Sequence, residues 1–512
     1  MSAVRARGGV VDYDVIVVGA GPVGLMLAAE LRLGGVTVAV LERLEQPSGE
    51  SRGLGFTARA AEIFDQRGVL DRLGAVETSP MGHFGGVPMD YTLIEGGHFG
   101  VRGVPQHRIE QALAEWAVEL GVALLRGRDV VDIEPDEAGV TVVTDARDLE
   151  VFTAGYLVCC DGGRSTLRRM AGFDFPGTDA TREMYLADVA GANIRPRFIG
   201  ERTDAGMVMS APLGEGLDRI IVCEDGRKPT GRSAPSWTEV ADAWQRITGE
   251  SLHGANARWV SAFTDTTRLV SQYRRGRVLI AGDAAHVHLP AGGQGLSLGV
   301  QDAANLGWKL AATIRGWAPE GLLDTYHSER HPVAARVLRN TLAQGTLYLT
   351  GAHMEPMREI MRELIAQPSV VRLLSGMVSG LDIRYDMPYA TGADEPVWLG
   401  RRMPHRTLGR TDGDADGGQV RVPDLLRHGR GVLIDTTGDD AVAAAAARWA
   451  GRVDLVRGEW APAPDGVEPA PKAVLLRPDG YIAWVPGAGE LSQALTAWFG
   501  ADDAGRPSGR HD

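Results

Sequence analysis

Short apolar runs that end at clusters of glycine punctuate the chain at three widely separated places. Asp14 to Val18 reads DVIVV, mostly β-branched and without polar alternation, which predicts a strand buried on both faces. Gly19-Ala20-Gly21-Pro22-Val23-Gly24 follows at once, and helical spacing then runs from about Pro22 to Leu33. A second run, Tyr156 to Cys160, precedes Asp161-Gly162-Gly163-Arg164-Ser165. A third, Arg277 to Ala281, precedes Gly282-Asp283 and then Gly292-Gly293-Gln294-Gly295, with a helix predicted from about Leu296 to Ile314. Loops that share one ligand need neighbouring strands, so the three strands are expected in one sheet.

The first loop is a dinucleotide fingerprint. Gly19 allows a tight turn, Gly21 lets the backbone approach a pyrophosphate, Gly24 lets helix and strand pack closely, and Pro22 suits the first helical turn. The helix N-terminus supplies N–H groups and a positive dipole end for phosphate. Thr37 to Leu41 predicts the next strand, ending in Glu42-Arg43, and Glu42 falls about 20 residues beyond the glycines, where a ribose hydroxyl acceptor is expected. NAD and FAD are not distinguished by this loop. The far loop points to FAD: Gly292, Gly293 and Gly295 free the backbone to meet a planar ligand just before a helix start. The helix dipole there would stabilise negative charge on the N1/C2 carbonyl region of a reduced flavin. Asp283 is the candidate acceptor for ribityl hydroxyls, a role compatible with capping the next turn.

The predicted architecture is α/β: a Rossmann-like FAD-binding domain with an inserted antiparallel-sheet substrate domain and a C-terminal thioredoxin-like domain. The FAD-binding domain comprises residues 1–74, 105–183 and 276–345, and the substrate domain residues 75–104 and 184–275, where runs such as RIIVCE suggest a sheet over the flavin. Residues 346–395 form a helical linker, with helical spacing from about Glu355 to Met377. In residues 396–512, VLIDTTG, an Ala-rich helix over Asp440 to Ala450, VDLV and a hairpin turning at Pro478-Asp479-Gly480 suggest the thioredoxin-like module. It has no cysteine, which excludes dithiol exchange, and only the tail Gly505 to Asp512 has the composition of a disordered segment.

Composition narrows the setting. The chain has 512 residues, 44% apolar and 23% charged, with net charge −13, which suggests several soluble domains and disfavours nucleic acid as a partner. Cys159, Cys160 and Cys223 are the only cysteines, too few and too close for a disulfide framework, which fits the cytoplasm. Neither a signal peptide nor a membrane span is expected, since no apolar h-region precedes the first strand and the most apolar helical run, Ala441 to Trp449, is short. No metal site is expected.

GAGPVG, CDGGRS and GDAAHVHLPAGGQGLSLGVQDAANLGWKLA resemble the hallmark segments of the class A flavoprotein aromatic hydroxylases, the fold of para-hydroxybenzoate hydroxylase and phenol hydroxylase. ESRGLGFTARAAEIFDQRG, GHFGG, FPGTDAT, EMYLAD, RIIVCE and LLSGMVSGLDIRYD are similar to the bacterial aromatic-polyketide oxygenases that act on angucyclines. The resemblance implies that Glu42 and Arg43 hold the adenosine end of FAD, Gln106 reaches the pyrophosphate or ribityl chain, and Asp161 touches both FAD and the nicotinamide nucleotide. It also implies that Asp283 binds the ribityl chain and that Pro290 to Leu296, including Gly292, Gly293, Gln294 and Gly295, borders the ring. Ser297 stands where many relatives carry Asn or a similar amide.

The chemistry implied is monooxygenation. NADPH reduces FAD, O2 forms a flavin C4a-hydroperoxide, and one oxygen atom passes to a polycyclic aromatic polyketide. Pro290 and Gly292 border the oxygen site and no dedicated base is identified, because an ionised phenol activates its own ring. His286, Arg384 and Tyr385 are further polar candidates, the last two as phenolate stabilisers, and His83 and Phe84 are candidates for lining the substrate cavity. Each has a plain structural alternative: backbone ordering for His286, a solvent ion pair for Arg384 and Tyr385, and an exposed turn for His83 and Phe84. Baeyer–Villiger insertion and a non-catalytic FAD-binding protein are the alternative functions, and a homodimer is compatible with the family.

Overall fold

The computed structural model describes residues 11–502 except 52, 95–99, 147–148, 232–233, 390–394, 412–417 and 464–466, so the Gly505–Asp512 tail lies outside the described residues. The predicted strand sharing is present. Tyr13–Val18 lies mid-sheet and pairs in parallel with Leu149–Cys159 on one side and Val38–Glu42 on the other. Ala123–Arg126 extends the sheet past Val38–Glu42, and Val278–Ile280 extends it past Leu149–Cys159. Val18 is level with Cys159, and Cys159 with Ile280, so the three glycine loops leave the sheet at one edge. Such a sheet needs cover on both faces. Pro22–Leu33 and Gln294–Ile314 pack on each other as part of that cover, and Cβ groups at Gly34 and Gly307 would collide with Ala311 and Glu30, which is why those positions carry none.

The second sheet has five antiparallel strands in the order Arg197–Thr203, Gly206–Gly214, Leu217–Glu224, Glu183–Ala190, Asn256–Thr264. Alternation divides it into two faces. Tyr185, Ala187, Val189, Val208, Ile220 and Val222 pack on the Trp237–Thr248 helix, whose Trp244 is fully buried. That helix is fixed at its start by Ser236 and Glu239, each bonding the other's backbone N–H. The opposite face looks toward the third glycine loop.

The C-terminal sheet has six strands in the order Gln419–Arg421, Thr407–Arg410, Val453–Trp460, Gly431–Asp435, Ala473–Leu476, Ile482–Trp484. Gly431–Asp435 and Val453–Trp460 run parallel, joined by the Asp440–Ala447 helix, and every other pairing is antiparallel. The predicted 355–377 helical run is divided at Pro368, which opens a new helix over Pro368–Ser379 after Glu355–Ile365 has ended.

The turn at Pro478-Asp479-Gly480 plugs this domain into the first. Arg59 donates to Asp479 O, Arg67 donates to Pro478 O and to Glu30, and Arg402 donates to Glu62. Glu329 takes Arg477 on both oxygens at 2.6 and 2.8 Å, with Lys309 on one of them at 2.7 Å. Burial opposes the charge on Glu329, but Arg477 and Lys309 outweigh it and hold the carboxyl at about 2. Lys309 receives the weaker share of that carboxylate, and burial, with Arg477 beside it, lowers the amine to about 8.

Candidate active site

The three glycine loops touch. A Cβ on Gly19 would lie 2.4 Å from Cys160 O, and one on Gly24 would lie 2.0 Å from Gly19 O. Val23 of the first loop fills the space that glycine leaves at Gly282 and Gly299, where a Cβ would approach it to 2.9 and 2.4 Å. Gly163 meets Val287 in the same way, which closes the ring of contacts between the second and third loops.

Around this junction the backbone keeps donors in reserve. Among the described residues no side chain bonds the first-turn N–H groups of Pro22–Leu33, capped by Gly21, or of Gln294–Ile314, capped by Gly293. Space lies open above both caps, since a Cβ on Gly21 or Gly293 would meet nothing within 4 Å. Asp161 caps Thr166 and Leu167 N–H with Oδ2, while its Oδ1 is buried with no hydrogen-bond partner among the described residues. Two uncapped helix ends, room beside each and an orphaned carboxylate oxygen fit a dinucleotide flavin.

The remaining cofactor candidates divide by what already engages them. Glu42 accepts Ala20 N–H and Leu44 N–H, each at 2.9 Å, so its carboxylate lies against the first loop, with Arg43 exposed beside it. Gln106 donates to Glu110 at 2.8 Å and packs against Gly53. Asp283 is exposed although Gly282, Ala284, Ala285 and His286 around it are all buried. Pro290, Gly292, Gly295 and Leu296 line the approach to the helix start, and the helix begins at Gln294, two residues before the predicted start. The Gln294 side chain turns inward, donating to Ala291 O at 3.1 Å, which leaves its backbone for a cofactor. An amide ladder continues from it, with Asn340 donating to Gln294, Gln344 donating to Asn340 and Gly85 N–H donating to Gln344. Ser297, which stands where an amide was expected, accepts Thr57 N–H at 2.8 Å.

Four other candidates are engaged by protein groups, His286 and Arg384 in the backbone-ordering and ion-pair roles given as their alternatives. His286 is fully buried, with Nε2 on Asp302 at 2.7 Å, so it orders the loop. Tyr385 is buried against Tyr481 and accepts Arg330 at 2.9 Å, and Arg384 binds Leu399 O and Glu395; both serve the domain seam. Phe84 packs with Val87, Met89, Leu347 and Val378 because strand alternation turns it away from its neighbour. That neighbour, His83, lies on the other face of the strand, half-buried and stacked on Tyr348 with ring centroids 5.8 Å apart.

The open face of the five-stranded sheet forms a floor for the site. Met184, Met207, Cys223 and Phe263 pack against Leu289, Ala291 and Tyr348 at its near end. Met209 and Ile221 occupy the next row and remain half-exposed, as apolar groups lining a cavity do. Asp188, Arg219 and Trp259 form the far row, with Arg219 held to both Asp188 oxygens at 2.7 and 2.8 Å. Arg202, opposite Met207, is half-buried beside Gly86, and burial lowers its pKa. Sequence reading missed these polar residues, as it missed Asp302 and Arg330. For Asp302 a signal existed, because a carboxylate inside the apolar run GLSLGVQDAANLGW needs a buried partner.

Comparison with known proteins agrees with this geometry. Residues 12–341 match the FAD binding domain family and residues 396–502 match the aromatic-ring hydroxylase C-terminal family. The chain belongs to the FAD-binding aromatic-ring hydroxylases. It is a flavin-dependent monooxygenase by family. The structure of CabE, an aromatic hydroxylase from angucycline biosynthesis, is 55% identical with TM-score 0.91, covering 96% of this chain and 100% of that one. BexE, studied for oxidation during BE-7585A biosynthesis, is 52% identical with TM-score 0.90 and the same coverage. The 12-dehydrotetracycline 5-monooxygenase/anhydrotetracycline 6-monooxygenase of Streptomyces rimosus is 42% identical over 507 residues, 95% of this chain and 99% of that one. Among the described residues no helix is long and apolar enough to cross a membrane, and no cluster of metal-ligating side chains occurs.

Proposed function

We propose that this protein hydroxylates a phenolic polycyclic polyketide of the angucycline type, using FAD, NADPH and O2. The observation that carries the reading is the flat, half-exposed apolar floor of Met209, Ile221 and Trp259 leading to the Pro290–Gly292 border, in a chain more than half identical to CabE along nearly its whole length. Bound FAD would supply the redox chemistry, accepting electrons from NADPH and activating oxygen. Glu42 and Arg43 would hold the adenosine end, Asp283 the ribityl hydroxyls and Asp161 the shared edge of FAD and nicotinamide. The free N–H groups at the start of the Gln294–Ile314 helix would face the pyrimidine carbonyls, where reduction places negative charge. His83, Arg202 and the Asp188–Arg219 pair would orient the oxygens of the substrate, while the methionine-lined floor excludes water. No side chain needs to act as base, because an ionised phenol directs attack to its own ring.

With this reading goes a proposed division into an FAD-binding domain of residues 1–74, 105–183 and 276–345, a substrate domain of 75–104 and 184–275, a linker of 346–395 and a C-terminal domain of 396–512. The parallel pair flanked by antiparallel strands supports a thioredoxin-like description of the last. Three free cysteines support a cytoplasmic location, and light scattering tests a homodimer. The activity is tested with a benz[a]anthraquinone bearing a free phenol, NADPH and ¹⁸O2. A single ¹⁸O in a new phenol, located by mass spectrometry and NMR, is expected. A lactone would establish Baeyer–Villiger insertion instead, and a yellow protein that leaves NADPH and every probe unchanged would be a non-catalytic flavin binder.

A further inference from the structure

Asp302 lies outside every loop that a cofactor would touch, yet it holds one that does. Its Oδ2 accepts Gly282 N–H at 3.3 Å and His286 Nε2 at 2.7 Å, so one oxygen pins both ends of the 282–286 turn. Asp283 is the single exposed residue of that turn, and pinning the two ends sets where its carboxylate points. The other oxygen, Oδ1, pairs with Arg330 Nε at 2.9 Å. Arg330 in turn donates to Leu298 O at 3.2 Å, in the first turns of the helix that starts at Gln294, and to the Tyr385 hydroxyl at 2.9 Å. Tyr385 packs on Tyr481 of the C-terminal domain with ring centroids 4.3 Å apart. Asp302, His286 and Arg330 are fully buried. Burial alone would neutralise Asp302, but Arg330 and then His286 hold its carboxyl below the usual range.

We infer that Asp302 is a positioning residue for FAD: it fixes the spacing between Asp283 and the Gln294 helix start, and Arg330 and Tyr385 make that spacing depend on how the C-terminal domain is seated. The C-terminal domain thereby gains a task at the cofactor although it lends no residue to the three loops. The inference rests on FAD binding and is independent of whether the reaction is oxygen transfer. A wild-type protein that binds FAD but oxygenates nothing removes the proposed function and leaves this one standing.

The test uses holoenzymes of Asp302→Asn, Asp302→Glu and Tyr385→Phe, with the FAD dissociation constant, the visible flavin spectrum, the midpoint potential and the melting temperature as readouts. Asp302→Asn is expected to weaken FAD by about tenfold or more, the scale of loss when the hydrogen-bond partner of a metal ligand is removed, and to shift the flavin bands and potential. Asp302→Glu should recover part of the affinity. Tyr385→Phe takes the acceptor from a buried Arg330 N–H, so its melting temperature should fall modestly, and it should weaken FAD about threefold beyond what that fall accounts for, about half the free energy of a tenfold loss. If Asp302→Asn fails to fold, Tyr385→Phe and Asp302→Glu decide. Wild-type FAD affinity and spectra in the folded variants, or losses that only track the fall in melting temperature, overturn the inference.

Discussion

The mouth of the glycine loops and the seam with the C-terminal domain treat polar groups in opposite ways. At the mouth, helix N-termini stay uncapped beside Gly21 and Gly293, and Asp161 keeps an oxygen unpaired. At the seam, Glu329, Arg477, Asp479, Lys309 and Asn305 are buried together and joined by short hydrogen bonds. An unpaired donor at the mouth is useful because a ligand can take it, whereas one at the seam would only cost stability. The mouth is a binding surface held ready by rigid neighbours, and the seam is one of those neighbours.

Gly21→Val should separate the two regions most sharply. The position has φ −76° and open space beyond, so a side chain there fits the apoprotein but occupies the room a pyrophosphate needs. FAD affinity should fall by about three orders of magnitude or more, on the order of 4 kcal/mol, while apoprotein melting stays at the wild-type temperature. A comparable loss of apoprotein stability would show that the mouth is also a structural core.

Arg477→Ala is the converse. It strands Asp479 and leaves Glu329 with Lys309 as its remaining cationic partner at a buried site, which costs on the order of 3–5 kcal/mol of folding free energy. Urea unfolding should register that loss, while the protein that remains folded keeps the wild-type flavin spectrum. Acid should attack the same cluster. Glu329 sits at about 2 in the folded state against 4.5 for an ordinary glutamate, so its contribution is fully present above about 4.5 and is lost as pH falls toward 2. The loss is on the order of 3 kcal/mol, and Glu329→Gln should abolish that part of the pH dependence in urea titrations.

The two regions were unequally legible in the sequence. Backbone sites are written in glycine and strand pattern, so the loops at Gly19, Asp161 and Gly282 could be brought to one sheet edge from the chain alone. Side-chain partners across domains have no such local mark. Arg384 and Tyr385 leave both a pocket role and an ion pair open, because nothing near them in sequence shows that Leu399, Glu395 and Arg330 claim them. Phe84 differs for a local reason, since period-two alternation puts His83 and Phe84 on opposite faces and Phe84 takes the one packed on Val87 and Met89. At Gln294 the glycine neighbours mark the backbone, but nothing local shows that Ala291 and Asn340 hold the side-chain amide.

The Ala58–Gln66 helix stands between mouth and seam, and Ser297→Ala asks to which it answers. Its cap residue Thr57 donates N–H to Ser297 Oγ in the first turn of the cofactor helix, while Arg59 and Glu62 reach Asp479 O and Arg402 at the seam. Removing Oγ leaves a buried N–H unpaired, a cost of about 1–2 kcal/mol. If the seam governs the helix, that cost appears in urea unfolding and FAD affinity changes by less than about threefold, under about 0.7 kcal/mol. A larger fall in FAD affinity than in stability would assign the helix to the mouth, because the lost bond would then have been holding the Gln294 helix start in place.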